Sequence, residues 1–212
     1  MNILHLICSP RGHASHSACY SRHLVERLAA RDIGAQVSVR CLNALTMPHV
    51  DREFSLASRS EGLGSAEVGS LQLSEELVAE VVESDAIVVA TPMHNLSVPS
   101  ALKAWIDHVV RPNVTFSYSG DKMVGLLSDR PVFVVLSSSG NQWAADEPDF
   151  LRPYLRAMFA AMGILSVEFF GLSRRLHPET GNVTAADAMS ILAASAPTIS
   201  HDAIHALWSQ FW

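Results

Sequence analysis

The sequence predicts an α/β fold: a doubly wound, five-stranded parallel sheet with helices on both faces. Three observations carry that expectation. Apolar runs of strand length recur at residues 3–8, Gln36–Cys41, 86–90, 132–136 and 167–170. Most are continuous rather than alternating, and β-branched residues dominate the third and fourth, as in strands buried on both faces. Between them lie stretches with apolar residues at helical spacing, so strand and helix alternate as in βαβ units.

The first helix is expected over 16–30, with Tyr20, Leu24, Arg27 and Leu28 on one face, ending near Gly34. Leu71–Glu83 is apolar at Leu73, Leu77, Val78 and Val81. Residues 99–110 begin with Pro99, tolerated in a first turn, and set Leu102, Trp105, Ile106 and Val109 at helical spacing. Stretches 150–162 and 185–208 complete the set, the last interrupted at Pro197. Two segments break the alternation. Residues 51–70, rich in Ser, Gly and charge, read as a long connection. Residues 111–130, with Phe116, Tyr118 and Gly120, read as an inserted hairpin or ordered loop. Long loops in such domains often serve as lids or binding elements. With no repeat and no boundary signal, residues 1–212 read as a single domain.

Composition narrows the function classes. With 49% hydrophobic residues the 212-residue chain can bury a sizeable core. The net charge of -6 and the absence of a Lys/Arg run argue against a nucleic-acid partner. Three cysteines without a C-x-x-C pair suit a reducing compartment. The N-terminal MNILHLIC lacks a charged n-region, and no apolar run is long enough for a bilayer. The expectation is a cytoplasmic protein without a membrane partner. Sequons at Asn95, Asn113 and Asn182 carry no weight without a secretory signal.

The chemistry gathers after the first strand, in CSPRGHASHSACYSRHL (8–24). Ligands of open parallel sheets bind beyond the carboxyl ends of the strands. There the loop 9–17 runs straight into a helix whose first amides and dipole favour an anion. Ser9, Ser15 and Ser17 add hydroxyls, and His16 a ring or backbone N–H. The loop has neither G-x-x-x-x-G-K-[ST] nor G-x-G-x-x-G, which argues against a nucleoside triphosphate or a dinucleotide there. A phosphate monoester held without cleavage, such as that of FMN, needs only convergent neutral donors. The alternative is a helix N-cap by Ser15 in a solvated loop. A second strand end, TPMHNLSVP (91–99), offers backbone groups on which the rim of a flat heterocycle could rest. A third, Ser137, Ser138, Ser139 and Gly140, closes the other side.

Several other candidates read as structural. Cys8 suits a small buried hydrophobe better than a reactive thiol. His201 and His205, at i and i+4, have only Asp202 close in sequence and form no H-E-x-x-H, so no metal site is expected. No G-x-S-x-G elbow occurs. Trp208, Phe211 and Trp212 suit packing or a dimer contact.

SPRG (9–12), SHS (15–17), TPMHN (91–95), P-S-x-LKAWIDHV (99–109), VTFSY (114–118), VGLL (124–127) and PYLRAMFAAMGI (153–164) together resemble the FMN-dependent NADH-azoreductases. These are flavodoxin-like relatives of the NAD(P)H:quinone reductases. The resemblance implies a flavodoxin-like sheet of order 2-1-3-4-5 and FMN as cofactor. It implies the phosphate at Ser9, Ser15, His16 and Ser17, with Arg11 among the cofactor contacts. Pro92, Met93, His94, Asn95 and Leu96 would line the isoalloxazine, Ser137 and Gly140 would flank its pyrimidine edge, and Ser138 and Ser139 join the cofactor contacts.

The implied activity is two-electron, ping-pong hydride transfer from NADH or NADPH to a quinone, azo or related aromatic acceptor. Read from its residue type, His94 is a candidate proton donor to the reduced substrate or a ring-stacking substitute for an aromatic, and Phe116 is a substrate wall. The implied assembly is a homodimer with flavin sites at the interface. The sequence departs from the pattern at His94, where an aromatic is common, at 138–140, where Arg-Gly-Gly is common, and over 141–149. Two readings compete: a specialised flavin reductase of a biosynthetic or detoxification pathway, and a flavodoxin-type electron carrier.

Overall fold

Why the apolar runs stack side by side follows from their two-faced burial. In the computed structural model, which describes residues 1–43, 45–57, 69–138 and 148–173, they form five parallel strands. These are β1 (Asn2–Ile7), β2 (Gln36–Cys41), β3 (Ala86–Pro92), β6 (Val132–Ser138) and β7 (Val167–Ser173), in the order β2-β1-β3-β6-β7. Numbered within the sheet alone this is 2-1-3-4-5, as expected. β3 and β6 each run two residues further than the sequence suggests, so Thr91, Pro92, Ser137 and Ser138 are strand residues. The expected helix over 185–208 lies outside the described residues.

Successive side chains of a strand point to opposite faces, and the core divides accordingly. Ile3, Val88 and Phe133 pack with Leu24, Val25 and Leu28 of α1 (His16–Ala29). Leu4, Leu6, Ile87, Val89, Val132 and Val134 face three other helices: α3 (Leu71–Glu83), α4 (Ser100–Val109) and α5 (Leu151–Met162). Right-handed crossovers require this split, because α1 carries the chain toward one edge and the other three toward the opposite edge. All four apolar positions read for α4 are buried.

The face read for α1 needs a correction. Arg27 is exposed, and Ser21 is buried in that face. The cause is His5 on β1. Ser21 Oγ donates to the Ala18 carbonyl at 3.1 Å, so His5 donates its Nε2–H to the Ser21 Oγ at 2.7 Å. Burial first, and then the electrostatic influence of His13 and Arg22, push His5 down to about 4.

The stretch 51–70 is not simply a connection, since it holds α2 (Arg52–Ala57). The Asp51 carboxylate accepts from Phe54 N at 2.7 Å and from Ser70 N at 2.7 Å, capping α2 and joining the two ends of the segment. Phe54 is buried edge-on against His108 of α4, with ring centroids 5.6 Å apart.

The inserted hairpin is present, as β4 (Phe116–Ser119) paired antiparallel with β5 (Lys122–Gly125) around Gly120. Its base packs on the end of α5. Gly163 follows α5 at φ +101°, and a Cβ there would meet the Leu127 carbonyl oxygen at 2.4 Å. A Cβ on Gly125 would lie 2.0 Å from Gly163 N. Next to this contact Asp129 accepts from Leu165 N, Ser166 N and Ser166 Oγ at 2.7, 3.0 and 2.7 Å. Arg130 donates to the Val81, Val82 and Ser84 carbonyls at the end of α3. Burial alone would raise the Asp129 carboxyl, but the hydrogen bonds from Ser166, Leu165 and Arg130 outweigh it and hold it low.

Candidate functional site

β1 ends at Ile7, and the loop beyond turns through a short 3-10 helix, Gly12–Ala14, into α1. Ser9, Ser15 and Ser17 are buried, Ser17 completely, whereas Arg11 and His16 are exposed. Ser15 is the N-cap: its Oγ accepts from Ala18 N at 3.2 Å. The cap foreseen as an alternative to an anion site is therefore real. It also helps build one, because Cys19 N is bonded to the Ser15 carbonyl. That leaves the first-turn amides of His16 and Ser17 without an intrahelical acceptor. Ser17 Oγ has Ser15 Oγ 3.5 Å away, a weak contact for a fully buried hydroxyl. The Ser9 carbonyl and hydroxyl accept from Gly12 N and Arg11 N and hold the loop closed.

β3 lies between β1 and β6, so the next two strand ends follow in turn on one side of this loop. Met93 N donates to the Ser137 carbonyl at 2.9 Å, which joins the β3 and β6 ends. His94 and Ser97 then exchange both backbone hydrogen bonds around Asn95 and Leu96, at φ 49° and 67°. Two consecutive non-glycine residues at positive φ mark a strained tight turn, and such strain gathers at functional sites. Phe150 N holds the Leu96 carbonyl at 3.0 Å. His94 and Asn95 are exposed, and with Ser97, Val98, Ser100, Lys103 and Tyr154 they line an open cleft.

The structure thus brings Ser9, Arg11, Ser15, His16 and Ser17 beside residues 92–96 and Ser137 and Ser138. Ser139 and Gly140 lie outside the described residues. Phe116 is a correction: within one chain it is not beside His94. α4, 10 residues and so about 15 Å long, separates its hairpin from the turn. The hairpin meets the end of α5, whereas the turn meets its beginning. Phe116 is buried edge-on against Tyr118. The cleft residues Ser100, Lys103 and Tyr154 were missed. Their signal was positional, since the first turns of α4 and α5 start from the same edge of the sheet as TPMHN.

Residues 1–193 match the family described as flavodoxin-like fold. The chain belongs to that family. This flavodoxin-like chain is 41% identical over 170 residues to "FMN-dependent NADH:quinone oxidoreductase 2" of Cupriavidus pinatubonensis, covering 78% of this chain and 82% of the relative. It is 39% identical over 170 residues to "FMN-dependent NADH:quinone oxidoreductase 4" of Pseudomonas fluorescens, covering 79% and 82%. Among solved structures, an FMN-dependent NADH-azoreductase from Bacillus anthracis in complex with FMN superposes with TM-score 0.75 at 21% identity, covering 92% of this chain and 98% of that one. That likeness shows the fold. Among the described residues, no helix of this flavodoxin-like protein is long and apolar enough to cross a membrane.

The residues present fit a flavin mononucleotide. A fully buried hydroxyl with one weak partner and two free first-turn amides suit a phosphate. The strained turn at Asn95 and Leu96 offers main-chain groups at the neighbouring strand end.

Proposed function

We propose that this flavodoxin-like protein is an FMN-dependent oxidoreductase that uses NADH or NADPH to reduce quinones, azo compounds or related aromatic acceptors. The observation that carries the reading is the pairing of a hydroxyl-lined helix start with a positive-φ turn at adjacent strand ends. The names of the quinone oxidoreductases, which this chain covers over four-fifths of their length, point the same way. Bound FMN would supply the two-electron hydride chemistry that links a reduced nicotinamide to the acceptor. The protein supplies the rest. Ser9, Ser15 and Ser17 with the first amides of α1 hold the phosphate, and residues 92–96 with Ser137 and Ser138 carry the ring. His94 is exposed on the cleft, which supports its delivering a proton to the reduced acceptor.

The reading includes a homodimer. Tyr118, Met123, Val124 and Leu126 leave apolar surface exposed on the hairpin. A second copy covering that surface would bring Phe116 and Tyr118 to a site their own chain does not reach.

The test is a kinetic one on purified, FMN-loaded protein, with a quinone and an azo dye as acceptors. NADH or NADPH oxidation with parallel double-reciprocal plots is expected, since one ring face serves both substrates in turn. Flavin binding without nicotinamide oxidation would leave an electron carrier instead. His94→Phe should slow acceptor reduction about a hundredfold while leaving flavin reduction unchanged. Light scattering should return twice the 23.0 kDa chain mass.

A further inference from the structure

We propose that Cys41 is a covalent modification site for quinone electrophiles, with His13 as its base, and that its alkylation loosens the loop that starts α1. Cys41 closes β2 and is half-buried. Its sulfur lies 3.5 Å from His13 Nε2. His13 is the middle residue of the 3-10 turn between Ser9 and Ser15. Its carbonyl is fastened on the other side, accepting from Arg22 Nη2 at 3.2 Å and from Cys19 Sγ at 3.9 Å. The turn is therefore clasped between α1 and the end of β2, with Cys41 as the β2 side of the clasp.

A thiol beside an imidazole nitrogen is the arrangement that thiol nucleophiles use, because the base takes the proton as sulfur attacks. The other thiols lack it. Cys8 is buried at the end of β1, and burial, with a smaller effect from Cys41, pushes its thiol up. Cys19 is exposed but has a guanidinium, not a base, near its sulfur, with Arg22 Nη2 4.0 Å away.

The electrophile class follows from the acceptor class in the functional reading, on which this part rests. In the addition, the Cys41 sulfur forms a bond to a ring carbon next to a quinone carbonyl, and the π electrons of that C=C bond move to oxygen. The thiol proton passes through His13 Nε2 to one oxygen, and the displaced ring proton goes to the other. The product is a thioether of the hydroquinone, with the two electrons of the thiol addition stored in the ring and no other oxidant needed. The adduct occupies the space of the His13 contact and detaches the turn from β2.

The experiment treats the full-length, FMN-loaded protein with p-benzoquinone in the absence of reduced nicotinamide and maps adducts by peptide mass spectrometry. Cys41 should react about tenfold faster than Cys19, and His13→Gln should slow Cys41 about tenfold without changing Cys19. Cys19 reacting first, or unchanged Cys41 kinetics in His13→Gln, would overturn the site. Treated wild type should release FMN and treated Cys41→Ser should keep it. Retention of FMN by fully modified wild type would overturn the coupling. A chain that binds no FMN yet labels selectively at Cys41 fails the functional reading while supporting this site.

Discussion

Phe150 donates its backbone N–H to the Leu96 carbonyl at 3.0 Å, so the start of α5 is bonded to the turn that follows β3. That bond is available only while Asn95 and Leu96 keep positive φ. A β-branched residue is strongly disfavoured there, whereas glycine is at ease. Asn95→Val should therefore cost about 1–3 kcal/mol and weaken FMN binding, and Asn95→Gly should be close to neutral. Urea unfolding of the two variants, with flavin titrations, checks this.

The Ser17 hydroxyl should matter to flavin and little to folding. It is fully buried, yet among the described residues its hydroxyl has the 3.5 Å contact with Ser15 Oγ as its one partner. Ser17→Ala should weaken FMN about tenfold, as expected for one charge-assisted bond of roughly 1.5–3 kcal/mol. Its unfolding midpoint without flavin should stay near that of wild type. Ser15→Ala, by contrast, should lose about 1 kcal/mol of stability with or without flavin, because Ser15 caps α1. Fluorescence titration and urea melts of both variants separate the two roles.

Gly125 and Gly163 should be the least replaceable glycines of the described chain. A methyl at either meets backbone at 2.0–2.4 Å, and Gly163 adds φ +101°. Backbone cannot yield as a side-chain tip can, so each alanine variant should lose about 2–4 kcal/mol. Gly120→Ala, at φ +61° with open space around it, should lose only about 1 kcal/mol. Thermal unfolding ranks the three.

Acid should destabilise the protein in two separate windows. Above pH 6.5 His5 is neutral folded and unfolded and contributes no slope. Between 6.5 and about 4 the unfolded chain binds a proton that the folded chain refuses, so stability falls as pH falls. The full drop is about 3 kcal/mol at 1.36 kcal/mol per pH unit. Asp129 acts lower: its carboxyl is held below 3.8, so its contribution is present above that value and is lost only under stronger acid. His5→Gln should flatten the first window and leave the second. Urea midpoints between about pH 7 and pH 3 provide the measurement.

How far the residues themselves announced this arrangement differs from element to element. The central strands were legible because Ile87–Ala90 and Val132–Leu136 have no polar side to confuse the period, being buried on both faces. The α1 face was misread at Arg27 because the buried partner of Ser21 is a histidine on β1, a pairing no local spacing reveals. α2 was hidden in a polar stretch because its cap, Asp51, is also bonded to Ser70, 19 residues away. In the site, the serines and the TPMHN turn stood out by composition. The cleft residues Lys103 and Tyr154 did not, because helix side chains come together there only through tertiary packing. Phe116 was read as a substrate wall within the VTFSY motif of the resemblance, which does not say whether it walls the site of its own chain or of a second copy. The direction of α4 carries it to the opposite end of the sheet.

The two rims of the sheet have an evolutionary consequence. Along β6, Val132–Ser138, about 20 Å separates the carboxyl rim, with its serines and strained turn, from the amino rim locked by Gly125, Gly163, Asp129 and Arg130. Substitutions that far apart, sharing no partner, add without interaction. A lineage can therefore redraw the cleft around His94 and Lys103 for a new electron acceptor while the foundation at the other rim keeps its full margin. The same foundation can be strengthened to carry costly innovations in the cleft, leaving the chemistry untouched.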